Sequence, residues 1–338
     1  MLFPLSIILM AIFILSWALT WSVRRYALAK DIMDHPNHRS SHFVPTPRGG
    51  GAAFVVAFLI TVPFVAHLGL VTVAGSLALI GTGLFLAILG FLDDRGDIPA
   101  VWRLFGHISA CILAVYWLGG LPAITFFVWT LPSNLFAGSL AVLYLAWMLN
   151  LYNFMDGIDG IASVEAVSVC LGASFVYWLG GDDGLMVLPL LLAAAVAGFL
   201  FWNFPPARIF MGDAGSSFLG FILGVLSIQA AGIKGAYLWS WLILLGVFIV
   251  DATFTLLRRA LSGDKIFEAH RSHAYQQASF YFGSHLPVTL AVLMINVLWL
   301  LPCAILVGLE YVNGLTGLLI AYAPLVAMAI QFKAVKKD

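Results

Sequence analysis

Long apolar runs alternate with short polar segments along the whole chain. Eleven runs approach the roughly 20 residues a helix needs to cross a bilayer: 4–23, 50–67, 71–92, 104–118, 133–149, 161–179, 185–202, 216–232, 237–257, 286–308 and 314–332. The pattern predicts an all-α polytopic membrane protein of about eleven transmembrane helices. The first run has no basic residue before it and Arg24-Arg25 after it, the reverse of a secretory signal, so it reads as a membrane helix.

Composition agrees with the pattern. Of 338 residues, 62% are hydrophobic and 9% charged, against about a quarter charged in soluble domains. The net charge is zero, but the charges are clustered. Placing 24–49, 93–103, 150–160, 203–215, 258–285 and 333–338 in the cytoplasm puts 15 of the 16 Lys and Arg there, with Lys234 alone outside. The expected orientation is N-terminus out and C-terminus in. The outer connections are short, and no repeat or linker divides the chain, so residues 1–338 read as one integral membrane domain whose chemistry faces the cytoplasm. No nucleic acid partner is expected. Cys111, Cys170 and Cys303 lie in separate apolar runs and read as packing residues.

Five polar clusters fall on the cytoplasmic side. The first carries Pro45-Thr-Pro-Arg48-Gly-Gly-Gly51, an extended loop whose glycines permit close backbone approach. A basic loop facing anionic lipid is its alternative reading. The second, Asp93-Asp94 with Arg103 following, pairs acids at a helix C-terminus, where the helix dipole adds to their repulsion. A divalent cation or a positively charged substrate relieves that. The third is Asn150-Leu-Tyr-Asn153-Phe-Met-Asp156-Gly157-Ile158-Asp159-Gly160. Its acids, three residues apart, are expected on one side of a turn.

The fourth cluster, Asn203 to Ser217, holds Arg208, Phe210 as a stacking surface for a base, Asp213 as a metal ligand, and Ser216-Ser217 as helix caps. The fifth, Arg258 to His285, contains His270-Arg271-Ser-His273 and Tyr275-Gln276, suited to a diphosphate or to an amphipathic surface helix. Together Asp93, Asp94, Asp156, Asp159 and Asp213 are hard oxygen ligands. Arg48, Arg103, Arg208, His270, Arg271 and His273 are anion binders. Such a set suits magnesium, which takes one or two carboxylates, waters and substrate phosphates. Zinc-type ligand spacing is missing. The residues point to a magnesium-dependent reaction on a phosphorylated substrate.

In this order the segments resemble the polyprenyl-phosphate N-acetylhexosamine-1-phosphate transferases (glycosyltransferase family 4). The most specific parts are Asn-x-x-Asn-x-x-Asp-Gly-Ile-Asp-Gly at 150–160 and Phe-Met-Gly-Asp-x-Gly-Ser at 210–216. The Pro-Thr-Pro-Arg48-Gly-Gly loop and His-Arg-Ser-His look more like the O-antigen-initiating branch. The resemblance implies a bacterial inner-membrane enzyme that moves a HexNAc 1-phosphate from a UDP-N-acetylhexosamine to undecaprenyl phosphate, with magnesium (manganese as alternative). It further implies that Asp93, Asp94 and Asp213 surround the metal and reacting phosphates, with Asp94 and Asp213 as ligands. Asn153, Asp156, His270 and His273 are implied to be catalytic. Gly157, Ile158, Asp159, Asn203 and Phe210 are implied to hold the uridine, and Arg48, Arg103, Arg208 and Arg271 the rest of the substrates. Membrane lipid is a partner, and a homodimer is left open.

Two rivals remain. A lipid-linked sugar or ion-coupled transporter would keep ionisable groups near mid-span. Here Asp93, Glu165 and Asp251 lie towards the cytoplasmic ends of their runs. A CDP-alcohol phosphatidyltransferase needs Ala-Arg after its first Asp-Gly, where this chain has Ala162-Ser163.

Overall fold

The computed structural model describes residues 2–36, 44–94, 96, 98–263 and 271–334. These form fifteen α-helices: α1 Leu2–Ala29, α2 Gly51–Leu59, α3 Thr61–His67, α4 Val73–Asp93, α5 Ala100–Leu118, α6 Leu135–Met155, α7 Ile161–Gly180, α8 Val187–Asn203, α9 Asp213–Ile233, α10 Gly235–Leu244, α11 Gly246–Leu261, α12 Ala274–Phe282, α13 Leu286–Ile295, α14 Leu301–Gly308 and α15 Gly314–Ala334. Two antiparallel ribbons, β1 Met33–Asp34 with β2 Thr46–Pro47 and β3 Ile124–Phe126 with β4 Trp129–Leu131, a 3-10 turn at Asp183–Met186 and a π-turn at Asn296–Leu300 complete the described secondary structure. The second ribbon lies in the Gly119–Pro132 stretch, which the hydropathy pattern leaves as a plain connection.

The protein is all-α and polytopic. Among the described residues nine helices are long and apolar enough to span, or ten when α10 and α11, bent by 71° at Leu245, count as one. The expected run at 50–67 forms a shorter apolar helix, Gly51–His67, interrupted at Ile60 between α2 and α3. Two predicted boundaries shift in ways that affect the chemistry. Helix α5 starts at Ala100 and so includes Arg103, while α6 runs on to Met155 and takes in Asn150 and Asn153. The helix continues through this polar stretch because Asn150 spends its amide on the Ala146 carbonyl (2.7 Å) rather than on a turn.

The most enclosed span is α9, packed by α2, α4, α6 and α10. A side chain at Gly90 would meet the Ala214 backbone at 2.7 Å, so only glycine lets the last turn of α4 lie against the start of α9. That contact places Asp93 and Asp94 beside Asp213.

The bent α10–α11 span leaves backbone N–H groups unpaired at the start of α11. Glu165, fully buried on α7, accepts from Asn296 Nδ2 at 2.6 Å and lies against the Phe248 backbone there. Asn296 opens a single π-turn, Asn296–Leu300, between α13 and α14. The buried acid therefore ties α7 to the π-turn beside the bent span.

Candidate active site

Three pieces meet at one end of the bundle. The first is a carboxylate cluster. Asp93 pairs with Arg103 Nη1 at 2.5 Å and accepts from the Ile98 N–H at 3.1 Å. Asp94 follows at the C-cap of α4, and its two oxygens accept from the N–H groups of Asp213 (3.2 Å) and Ala214 (3.4 Å). The cap of α9 thus comes from a distant acid rather than from Ser216 or Ser217, as the sequence suggests. Ser216 instead donates to the Gly212 carbonyl and accepts from Asn153. Arg48 reaches the Asp94 carbonyl through Nη2. Asn153 donates to Asp213 Oδ1 at 2.9 Å, and Arg103 lies 4.0 Å from Asp213 Oδ2.

The electrostatics of this cluster are those of crowded acids. Burial first, then the neighbouring Asp213, pushes the Asp94 carboxyl up to about 6, although two backbone amides and Arg48 pull the other way. Asp156, at the C-cap of α6, is pushed well above the usual carboxylate range by burial, then by Asp213, Asp94 and Asp159. Four acids therefore share a small volume in which Arg48 and Arg103 are the cations these contacts show. Among the described residues, no three His, Cys, Asp or Glu side chains are arranged to hold a metal ion by themselves. The donor chemistry nonetheless fits magnesium, which binds through one or two carboxylates and completes its shell with water and phosphate.

The second piece is α12. Asp251, buried on α11, accepts from the N–H groups of Ala274 and Tyr275, both at 2.9 Å, and lies 3.3 Å from His273 Nδ1. It caps α12 and holds His273, whose ring stacks on Phe154 with 6.4 Å between centroids. Tyr275 is buried and donates to the Phe154 carbonyl at 2.9 Å. A Cβ at Gly157 would collide with the Tyr275 hydroxyl, which is why that step of the Asp-Gly-Ile-Asp-Gly motif needs glycine. Burial, then Asp251 and Asp156, pushes the Tyr275 phenol well above its ordinary 10, so it stays a hydrogen-bond donor.

The third piece is a cleft of about 590 Å³, lined among others by Thr46, Asp159, Pro206, Phe210, Phe280 and His285. Phe210 is fixed through its backbone: its N–H donates to the Pro47 carbonyl (2.8 Å), and its carbonyl accepts from the Gly50 N–H (2.9 Å). The glycines at 49–51 therefore serve a loop-to-loop pairing. Asn203 is buried, accepts from Ser163 Oγ at 3.1 Å and donates to the Ile209 carbonyl at 3.1 Å. Its amide supports the Phe210 loop from behind. The Asp159 carboxylate accepts from the Ala207 N–H at 2.9 Å and meets His285 Nδ1 at 3.2 Å.

Asp156 and Asp159 consequently take different partners instead of acting as one pair: the short turn directs the first to the acid cluster and the second to the cleft. Ile158 is buried. Arg208 is exposed, with its guanidinium 5.7 Å from the Trp202 ring centre, and its carbonyl accepts from Arg24 Nε at 3.1 Å. Arg271 lies 5.5 Å over the ring of Phe280 on the cleft wall. His270 lies outside the described residues. Sequence reasoning missed Asp251, Tyr275, His285 and Thr289 as organisers. Asp251 had a legible signal, a lone acid inside an apolar run, whereas His285 had none beyond lying at the edge of the last cluster.

The model of a family described as glycosyl transferase family 4 matches residues 76–231. A probable undecaprenyl-phosphate N-acetylglucosaminyl 1-phosphate transferase of Bacillus subtilis is 31% identical over 291 residues, covering 84% of this chain and 80% of its own. A decaprenyl-phosphate N-acetylglucosaminephosphotransferase of Mycolicibacterium smegmatis is 30% identical over 311 residues, 78% of this chain and 75% of that protein. A phospho-N-acetylmuramoyl-pentapeptide-transferase of Streptococcus thermophilus is 29% identical over 236 residues, 63% and 66% of the two chains.

Proposed function

Because the chain belongs to the polyprenyl-phosphate N-acetylhexosamine-1-phosphate transferases of glycosyl transferase family 4, we propose that it moves N-acetylglucosamine 1-phosphate from UDP-N-acetylglucosamine to undecaprenyl phosphate, releasing UMP. The observation that carries this reading is the convergence of Asp93, Asp94, Asn153, Asp156 and Asp213 beside the cleft of Phe210 and Asp159. The two relatives at 31% and 30% identity are described as N-acetylglucosamine phosphate transferases, which favours N-acetylglucosamine as the sugar. The resemblance of the Pro-Thr-Pro-Arg48 loop and the His-Arg-Ser-His motif to the O-antigen-initiating branch favours initiation of O-antigen or a similar cell-surface polysaccharide. The protein works as one integral domain of the bacterial inner membrane, with the acid cluster on the cytoplasmic side, where 15 of 16 Lys and Arg fall by the charge rule.

In the proposed complex the uracil stacks on Phe210, and Asp159 faces the base from the cleft floor. The diphosphate extends towards Arg48, Arg103, Arg271 and His273, with His270 proposed as a further anion binder. Asp94 and Asp213 would hold the divalent cation, with Asp93 adjacent. Magnesium, or manganese in its place, supplies positive charge against the diphosphate and the departing UMP. An oxygen of the lipid phosphate attacks the sugar-linked phosphorus, a new P–O bond forms, and the P–O bond to UMP breaks.

The lipid phosphate needs little help from a base, since its second pKa lies near 6. Asp93, already ion-paired to Arg103 at 2.5 Å, accordingly acts by placing that guanidinium next to Asp213. Membranes incubated with sugar-labelled UDP-N-acetylglucosamine test the reading. The enzyme converts label into a solvent-extractable lipid and releases UMP, whereas a carrier does neither.

A further inference from the structure

The cleft floor holds an unusually complete clamp on one residue. Asp159 has four polar groups, and all are engaged. Its N–H points at His285 Nδ1 (3.3 Å), its carbonyl accepts from Thr289 Oγ1 (2.8 Å), Oδ2 accepts from the Ala207 N–H (2.9 Å), and Oδ1 lies 3.2 Å from His285 Nδ1. His285 and Thr289 are one turn apart at the start of α13, where the Thr289 N–H bonds the His285 carbonyl at 3.0 Å. Thr289 is fully buried, while the His285 and Asp159 side chains are 15% and 13% exposed and both line the cleft.

One imidazole nitrogen faces two partners of opposite kind. When Nδ1 carries the proton it donates to Asp159 Oδ1 and cannot accept from the Asp159 N–H. When the proton sits on Nε2, Nδ1 accepts from that N–H and releases Oδ1. The ring can therefore hold Asp159 in place whether or not Oδ1 is taken by a ligand from the cleft. A pyrimidine imide, whose N–H is a donor, is the ligand chemistry that Oδ1 suits.

We propose that His285 is a specificity-determining positioning residue for the nucleotide: it fixes Asp159 and yields Oδ1 to an imide N–H of the bound base by changing tautomer. This rests on the assignment of the cleft to the uridine nucleotide. Its role is confined to nucleotide binding, so it leaves the lipid phosphate and the transfer step alone.

The test compares His285→Phe, which keeps the ring volume without nitrogen, with His285→Asn, whose amide turns to donate or accept near the Nδ1 position. The measurements are UMP affinity by calorimetry and steady-state KM for each substrate. His285→Phe is expected to weaken UMP and raise the UDP-sugar KM by about tenfold, the worth of one hydrogen bond to a charged group. The polyprenyl phosphate KM and kcat should stay within about twofold, below what one such bond is worth, and His285→Asn should recover most of the loss. Phe210→Ala serves as the control for the cleft itself. If Phe210→Ala weakens UMP but His285→Phe does not, or if His285→Phe lowers kcat and raises both KM values alike, the inference about His285 is overturned. If neither variant changes UMP affinity, the assignment of the cleft fails first and takes this inference with it.

Discussion

Replacing Asp251 with alanine removes the group that ties α12 to the bundle. In the native protein its two oxygens receive the N–H groups of Ala274 and Tyr275 at 2.9 Å each, with His273 Nδ1 at 3.3 Å and Thr255 Oγ1 at 3.2 Å. Alanine leaves two buried donors without an acceptor at about 1–3 kcal/mol each, part of which water recovers as the helix loosens. A lost N-cap alone costs about 1 kcal/mol. A net weakening of about 3 kcal/mol is expected, close to two decades in the equilibrium between docked and undocked α12. Undocking withdraws Tyr275 from the Phe154 carbonyl and His273 from the ring of Phe154. Hydrogen exchange over 274–282 should therefore accelerate about a hundredfold and kcat/KM should fall steeply, while exchange in α9 stays slow. Asp251→Asn, which keeps one acceptor, should fall between. Unchanged exchange in α12 together with activity within about twofold of wild type, less than one lost hydrogen bond would cost, would refute the reasoning.

Other consequences follow from the same contacts. Gly157→Ala, whose Cβ would collide with the Tyr275 hydroxyl, should lower kcat/KM by more than about tenfold, in line with the cost of a forced contact, whereas Gly138→Ala, with nothing within 4 Å, should be silent. Asp213→Ala should raise the magnesium needed for half-maximal activity, and normal magnesium dependence in that variant, or activity surviving EDTA, would remove Asp213 from the metal site. The raised Asp94 pKa means the metal-free protein holds that proton up to about pH 6. Magnesium must displace it at lower pH, so apparent magnesium affinity should fall as pH drops below that value and level off above it. Asp93→Asn should lose activity equally at about pH 6 and about pH 8.5, since the second phosphate ionisation lies near 6; recovery at the higher pH would restore Asp93 as the base.

Much of this arrangement is legible in the chain itself. The apolar runs foretell the spans, because a lipid-facing helix cannot hide its composition. The acids at 93–94, 156 and 213 betray a site because unpartnered charges between such runs are costly. What resists reading is the set of contacts made across long sequence separations. Asp94 capping α9 at Asp213, Asp251 capping α12 twenty-three residues on, and His285 holding Asp159 from 126 residues away have no local signature. Ser216 and Ser217 show the converse: the local cap signal is present, yet Asp94 takes the position because Gly90 lets α4 approach so closely.

The central claim is that phosphorus and sugar travel together. UDP-N-acetylglucosamine labelled with ³²P on the sugar-linked phosphate and ³H in the sugar, given to the purified protein with undecaprenyl phosphate and magnesium, reads this directly. Both labels should enter the lipid product in equal proportion, with unlabelled UMP released. Tritium entering lipid while ³²P remains in UDP, or no labelled lipid at all, would contradict it.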